Sequence, residues 1–212
     1  MNEDEVLKVL QEVGAFRAGH FAFTSGLHAG TYVNKDAIYP HVNYVSQLCR
    51  AMAEKFRADD VEVVIGPAVG AVILSTWTAH HLSEINCRDV YGVYADKDAD
   101  SGFVIRRGYD KIIAGKRCLI VEDLTTTGGS IKKVVDAARA ASADVVGAIA
   151  ICNRGGVSKE MVGELPRFEA LVSLQLNQWP AEVCELCKRD IPINTDVGHG
   201  AAFLREKEEK GQ

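Results

Sequence analysis

The stretch from Arg117 to Val135, RCLIVEDLTTTGGSIKKVV, constrains this chain more than any other. Cys118, Leu119, Ile120 and Val121 form an apolar run with the length of a buried parallel strand. Glu122 and Asp123 follow at the end of that run. Thr125, Thr126, Thr127, Gly128 and Gly129 then turn the chain into a helix expected to begin near Ser130. Ile131, Val134, Val135 and Ala138 recur at helical spacing, so the strand–loop–helix reading does not depend on the glycines alone.

Such a loop favours an anion. The N–H groups at a helix start point outward, and the aligned peptide dipoles add positive potential. Gly128 and Gly129 allow close backbone approach, and the hydroxyls of the three threonines and Ser130 can donate to phosphate oxygens. The adjacent carboxylates are wrong for phosphate alone. They suit polyol hydroxyls or a metal-bridged ligand. Together these features ask for a phosphorylated sugar rather than an ordinary strand–turn–helix with a polar cap. The segment resembles the phosphoribosyl-diphosphate signature of type I phosphoribosyltransferases. It lacks the Gly-Lys-Ser/Thr ending of a Walker A loop.

A chain of 212 residues, 47% hydrophobic and 25% charged, can bury one full core, so a single domain over 1–212 is expected. The net charge of -5, without a dense basic block, gives no reason to expect a nucleic-acid partner. Six cysteines are scattered, several within apolar runs, which suits buried thiols in a reducing cytoplasm. The start, MNEDEVLKVL, reads as an acidic helix and not as a signal peptide. No apolar stretch approaches a membrane span, so no membrane partner is expected. Residues 205–212, REKEEKGQ, read as a disordered charged tail.

Residues 3–14 are expected to form a helix ending at Gly14. Phe21 and Phe23 alternate with Ala22 and Thr24, Ser25-Gly26 makes a turn, and Tyr32 and Val33 begin a second extended piece. This is a small hairpin covering the core. The region resembles the N-terminal substrate-binding part of orotate phosphoribosyltransferases at Phe21, Ser25, Gly26, Tyr32, Asn34 and Lys35. The resemblance implies a hood over the base, formed mainly by 15–38 and part of the C-terminal region. Some members place a lysine before the Ser-Gly turn. Thr24 stands there in this chain, which leaves Lys35 as the cation for ligand contact.

A helix over about 41–57 and a strand at Val61–Ile65 lead into Gly66, Pro67, Ala68, Val69, Gly70 and Ala71, then a helix to about His81. A glycine-rich turn of this kind is either structural or a second phosphate seat. The resemblance implies a diphosphate loop at Ala68, Val69 and Gly70, where family members often carry a non-proline cis bond. Ala71 replaces a common glycine. Trp77, His80 and His81 have no third partner at metal-ligand spacing and read as packing residues. Asp89–Tyr94 is the next strand.

Residues 96–110 leave the regular rhythm. Phe103, Val104 and Ile105 read as a short returning strand. Lys97, Arg106 and Arg107 sit either on a solvated charged loop or, beside a phosphate loop, on a lid that neutralises a departing diphosphate. Ala95, Asp96, Lys97, Arg106, Arg107 and Gly108 resemble a short-lid branch of the orotate enzymes that has no lid histidine.

Val145–Ile151 reads as a strand with Cys152, Asn153 and Arg154 at its C-terminal end, where ligands of open α/β sheets collect. Arg154 can clamp a planar carboxylate. Orotate enzymes usually carry Asp-Arg where this chain has Asn153-Arg154. A further strand is expected within Pro166–Leu176. Cys184 and Cys187 form a Cys-x-x-Cys pair. A structural zinc site needs four ligands and no second pair stands at clear spacing, so the pair reads as reduced structural thiols, with metal binding left open.

Alternating strands and helices predict an α/β fold: a Rossmann-like parallel sheet with helices on both faces. The resemblance covers nearly the whole chain. It implies the type I phosphoribosyltransferase fold with a small hood, and a homodimer whose lid reaches the other subunit's site. It implies transfer of ribose 5-phosphate from 5-phosphoribosyl 1-diphosphate (PRPP) to orotate, with Mg2+ as cofactor, in UMP biosynthesis. PRPP would bind Glu122, Asp123, Leu124, Thr125, Thr126, Thr127, Gly128, Gly129 and Ser130. Asp123, Lys97, Arg106 and Arg107 would carry catalysis. Orotate would meet Ser25, Lys35, Thr127 and Arg154. No residue is assigned to the metal directly. Two other functions remain open: a phosphoribosyltransferase for a purine or another pyrimidine, and a non-catalytic nucleotide or PRPP sensor. The altered Asp96, Ala71, Thr24 and Asn153 positions keep the sensor in view.

Overall fold

A computed structural model describes residues 1–99, 102–174 and 178–210, the last five of them by backbone alone. The first helix, α1 (Glu3–Glu12), starts from a reciprocal cap. The Asn2 side chain accepts from the Glu5 N–H, and the Glu5 carboxylate accepts from the Asn2 N–H, both at 2.9 Å. An antiparallel hairpin follows, β1 (Phe16–Ala22) and β2 (Leu27–Val33), then α2 (Val42–Lys55). The middle of the chain alternates: β3 (Val63–Pro67), α3 (Gly70–Asn86), β4 (Tyr91–Lys97), β5 (Phe103–Val104), α4 (Tyr109–Ile113), β6 (Arg117–Thr125), α5 (Gly129–Ala140), β7 (Asp144–Asn153). The C-terminal part adds β8 (Phe168–Ser173), β9 (Gln178–Pro180), α6 (Glu185–Lys188) and α7 (Gly200–Lys210).

The main sheet has the order β5-β4-β3-β6-β7-β8. It is parallel from β4 to β8, and the short β5 runs antiparallel on the edge. Side-chain alternation along its central strands divides the core in two. Val64, Leu119 and Val121 pack with Val45, Leu48 and Met52 of α2 and Leu74 and Leu82 of α3. Val63, Ile65, Cys118 and Ile120 pack on the other face with Ile131, Val134, Val135 and Ala138 of α5 and with Ile113 of α4. Each large side chain buried there contributes about 1.5–3 kcal/mol. Truncating Leu119 or Ile120 to alanine therefore costs about 2–5 kcal/mol. The second sheet, β1-β2-β9, joins the N-terminal hairpin to a C-terminal strand and forms the hood.

Several boundaries differ from the sequence reading. β6 does not end at Val121. Its ladder with β7 continues through Glu122↔Ala150, Leu124↔Cys152 and Thr125↔Asn153, because β7 is equally extended and supplies partners. β3 starts at Val63 and includes Gly66 and Pro67, paired with Tyr94 and Ala95. α3 continues past His81 to Asn86 and stops where Cys87 adopts a left-handed φ of 51°. The strand expected within Pro166–Leu176 is Phe168–Ser173, and 175–176 lie outside the described residues. The expected disorder of the charged tail is not seen as far as Lys210. α7 runs to Lys210, as the strong helix propensity of Glu and Lys allows, and 211–212 lie outside the described residues. No described helix is long and apolar enough to cross a membrane.

Candidate active site

The carboxylates after Val121 are held inside the structure rather than offered to solvent. Glu122 is 6% exposed and Asp123 is 3% exposed. Tyr39 donates its hydroxyl proton to Asp123 Oδ2 at 2.5 Å, and Lys35 Nζ lies 3.2 Å from the same oxygen. Tyr39 and Lys35 come from the segment between β2 and α2, whose short 3-10 turn spans Lys35–Ala37. Burial alone would lower the Lys35 pKa, but the charges of Asp123, Glu122 and Asp36 outweigh it and raise it above the ordinary lysine value. Burial first, and then the two carboxylates, push the Tyr39 phenol far up, so it stays a proton donor. Glu122 is also raised, by burial first and by the negative charge of Asp123 second.

The loop after β3 packs against this group. The peptide between Ala68 and Val69 is cis, and the Val69 side chain is exposed. A side chain at position 70 would have to displace this group. A Cβ at that position would come within 2.6 Å of Tyr39 Oη and 3.0 Å of Asp123 Oδ2. Ala71 is buried, tucked so closely under Gly66 that a Cβ there would strike its carbonyl. Ala71 thus stands, buried, where the resemblance implies a glycine.

The loop from Thr125 to Gly129 folds over its own hydroxyls. Gly128 N–H donates to Thr125 Oγ1 at 3.1 Å, and Gly129 N–H donates to Thr127 Oγ1 at 3.4 Å. Gly128 caps α5, which begins one residue before the expected Ser130. The end of β7 crosses beneath this loop. Arg154 N–H donates to the Thr125 carbonyl at 2.8 Å, and a Cβ on Gly155 would lie 1.6 Å from the Thr126 carbonyl oxygen. Only glycine permits that crossing.

Arg154 Nη2 donates to Thr126 Oγ1 at 3.0 Å, and its guanidinium lies 5.5 Å from the centre of the Phe23 ring. Phe23 in turn stacks on Tyr32. The arginine thus bridges the sheet and the hood, and Ser25 is exposed in the hood turn two residues beyond Phe23. Asn153 explains the missing aspartate. Its amide donates to the Val157 carbonyl and its oxygen accepts from the Val157 N–H, a pairing a carboxylate cannot make.

The lid cations are arranged differently from the rest. Arg106 pairs with Asp98 at 3.1 Å and Arg107 with Asp96 at 3.3 Å, all within the β4–β5 excursion. Lys97 shares a groove with Gly102, Phe103, Ser130 and Lys133, which places it beside the start of α5. The structure thus gathers Lys35, Tyr39, Gly70, Glu122 and Asp123 in one group and Arg154, Thr126 and Phe23 in another. Lys35 sits on Asp123 rather than beside Arg154.

Sequence reading missed three features. Tyr39 carried no local signal beyond an aromatic before Pro40. His80 and His81 gain a third neighbour, Glu84, one turn further along a largely exposed helix face. Cys184 and Cys187 do find a second pair, His20 and His28 of the hood hairpin, and neither cysteine is in a disulfide.

Residues 34–179 match the phosphoribosyl transferase domain family. The orotate phosphoribosyltransferase of Caldanaerobacter subterraneus subsp. tengcongensis is 35% identical over 193 residues, covering 91% of this chain and 96% of that protein. The orotate phosphoribosyltransferase of Thermus thermophilus is 35% identical over 189 residues, covering 89% and 98%. Among solved structures, the phosphoribosyltransferase from Corynebacterium diphtheriae aligns with a TM-score of 0.64 at 26% identity, covering 81% of this chain and 95% of that one. Mycobacterium tuberculosis orotate phosphoribosyltransferase, in complex with Fe(III) dicitrate, aligns at 0.66 and 24% identity, covering 81% and 96%, which bears on the fold alone. A parallel sheet with a separate hood, and an acidic pair leading into an anion loop, are in these terms the plan of a type I phosphoribosyltransferase enzyme. The chain belongs to the orotate phosphoribosyltransferase family.

Proposed function

We propose that this enzyme joins ribose 5-phosphate from PRPP to N1 of orotate, forming orotidine 5'-monophosphate and diphosphate in UMP synthesis. The observation that carries this reading is the position of Arg154, set on the phosphate-loop residue Thr126 and against hood residue Phe23. A planar carboxylate held there by the guanidinium fork would lie between the sugar site and the hood. The 5'-phosphate would sit on Thr125–Gly129. Glu122 and Asp123 would accept hydrogen bonds from the ribose hydroxyls and offset positive charge developing at C1'. Tyr39 and Lys35 would keep Asp123 in place. Orotate arrives with its carboxylate ionised, so no protein nucleophile is required. Positioning and electrostatics would supply the acceleration.

Magnesium fits the same reading. Glu122 and Asp123 carry hard oxygen atoms but are buried, so most of the ion's ligands would be substrate oxygens and water. Bound there, it would supply charge for the leaving diphosphate. Lys97, Arg106 and Arg107 would add to that charge from the lid. The reading includes a cytoplasmic homodimer in which one subunit's β4–β5 excursion serves the other's site.

The test is diphosphate release by purified protein given PRPP and magnesium with orotate, uracil, adenine or xanthine. Release dependent on orotate is expected. Activity with another base and none with orotate would defeat the orotate assignment.

A further inference from the structure

We propose that His20, His28, Cys184 and Cys187 form a closed tetrahedral zinc site that fastens the C-terminal segment to the hood. One potential ligand atom from each residue lies within 4.8 Å of all the others. His20 Nε2 is 2.8 Å from His28 Nδ1, 3.6 Å from Cys184 Sγ and 3.7 Å from Cys187 Sγ, and Cys187 Sγ is 3.4 Å from His28 Nδ1. Bonds of about 2.0–2.1 Å to nitrogen and 2.3 Å to sulfur in a tetrahedron put N and S about 3.6 Å apart. The three N···S separations bracket that value. The N···N separation needs to open by about 0.5 Å to reach the tetrahedral edge set by those bond lengths.

The orientation of His20 suits a shared cation. His20 Nδ1 lies 2.7 Å from the Ile191 carbonyl, which can only accept, so Nδ1 carries the proton. The neutral ring then has one lone pair, on Nε2, facing an imidazole nitrogen and two sulfurs. One cation satisfies all four ligands, and the Ile191 carbonyl is the outer partner that zinc-bound histidines usually have.

Burial points the same way. His28 and Cys184 are fully buried and His20 is 2% exposed. Zinc binding would release the two thiol protons, giving a neutral unit of Zn2+, two thiolates and two imidazoles, which tolerates burial. With four protein ligands there is no open position, so the site is structural rather than catalytic. Zinc is the ion best matched to a tetrahedral N2S2 set. The ligands span β1, β2 and both ends of the α6 turn. The metal would thus fix the hairpin that carries Phe23 and Ser25.

The experiment is metal analysis of full-length protein expressed with added zinc, beside a Cys184→Ser/Cys187→Ser variant and a Cys87→Ser control at an exposed cysteine. We expect about one zinc per chain in the wild type and the control, and its loss in the double variant. Metal-stripped wild-type protein titrated with Co2+ should show tetrahedral d–d bands and thiolate-to-metal charge transfer, and should regain the thermal midpoint lost on stripping. Zinc-free protein with no cobalt spectrum would overturn the proposal, as would full zinc content in the double variant. If that variant does not fold, the cobalt titration of the wild type decides alone.

Discussion

The Tyr39 hydroxyl and the Asp123 carboxylate meet at 2.5 Å across 84 residues of chain, and Gly70 closes over the pair. This contact ties the segment after the hood hairpin to the end of the central strand. Tyr39→Phe removes one donor and leaves Asp123 with Lys35 and the Leu124 N–H. A lost hydrogen bond to a charged group costs about 1.5–3 kcal/mol, so kcat/KM for PRPP should fall on the order of 10–100-fold. The same loss is present without ligand, so the thermal midpoint should also fall by several degrees. Steady-state kinetics beside a thermal melt check this, and unchanged kcat/KM would remove Tyr39 from the site.

Gly70→Ala should be worse than Tyr39→Phe, since its methyl would press on both Tyr39 Oη and Asp123 Oδ2. The two changes share a neighbour, so they should not add. Removing the hydroxyl gives the methyl room. The double variant should therefore lose less activity than the product of the single losses. Strict additivity in the kinetic cycle would mean that the two residues act apart.

Much of this site was legible in the sequence because its signals are local. The apolar run, the carboxylate pair, the threonine-glycine turn and the helical spacing all fall within Arg117–Ala138. The alternating pattern gave the parallel sheet with helices on both faces. Tyr39 and the His20–Cys184 contact were not legible. They join positions 84 and 164 residues apart, and nothing near either partner marks the meeting. Strand ends were misjudged for a related reason. Glu122 and Asp123 look like loop residues, but β6 continues because β7 supplies ladder partners. Asn153 looked like a lost carboxylate until Val157 appeared opposite its amide.

The raised pKa of Glu122 gives a pH dependence with a definite sign. A carboxyl whose folded-state pKa lies above its unfolded value contributes stability that is fully present below the unfolded value. That contribution is lost as pH rises through the folded value. The ligand-free enzyme should therefore lose stability from near pH 4.5 upward through neutrality, at up to ~1.4 kcal/mol per pH unit for this one proton. Glu62, Glu84, Glu160 and Glu169 have lowered values and act only in the acid range, where stability falls as pH falls. Glu122→Gln should flatten the slope above pH 5. Denaturant melts across pH for both proteins test this, and parallel curves would sink it.

Arg154→Lys keeps the charge but loses the planar fork and its hold on Thr126. The orotate KM should rise on the order of 10–100-fold, the range of one charged hydrogen bond. PRPP affinity should change far less. Phe23→Ala should raise the orotate KM by a smaller factor, since a cation–π contact is worth about 0.5–2 kcal/mol. Equal losses toward both substrates would place Arg154 in loop support rather than base recognition.

The lid makes the last prediction. The pairs Arg106–Asp98 and Arg107–Asp96 are largely exposed and hold little stability, so these cations can be redirected at small cost. Lys97→Ala should lower kcat on the order of 100–1000-fold, as removal of a transition-state charge does, without shifting the thermal midpoint. Asp123→Asn should also be nearly inactive. If one subunit's lid serves the other's site, mixing the two inactive proteins through reversible unfolding restores one intact site in each mixed dimer. Random pairing makes half of the dimers mixed, so about a quarter of wild-type activity should return. The alternative outcome is a lid that serves its own chain, where Lys97 already shares a groove with Ser130. In that case each site carries a lesion and mixing restores nothing.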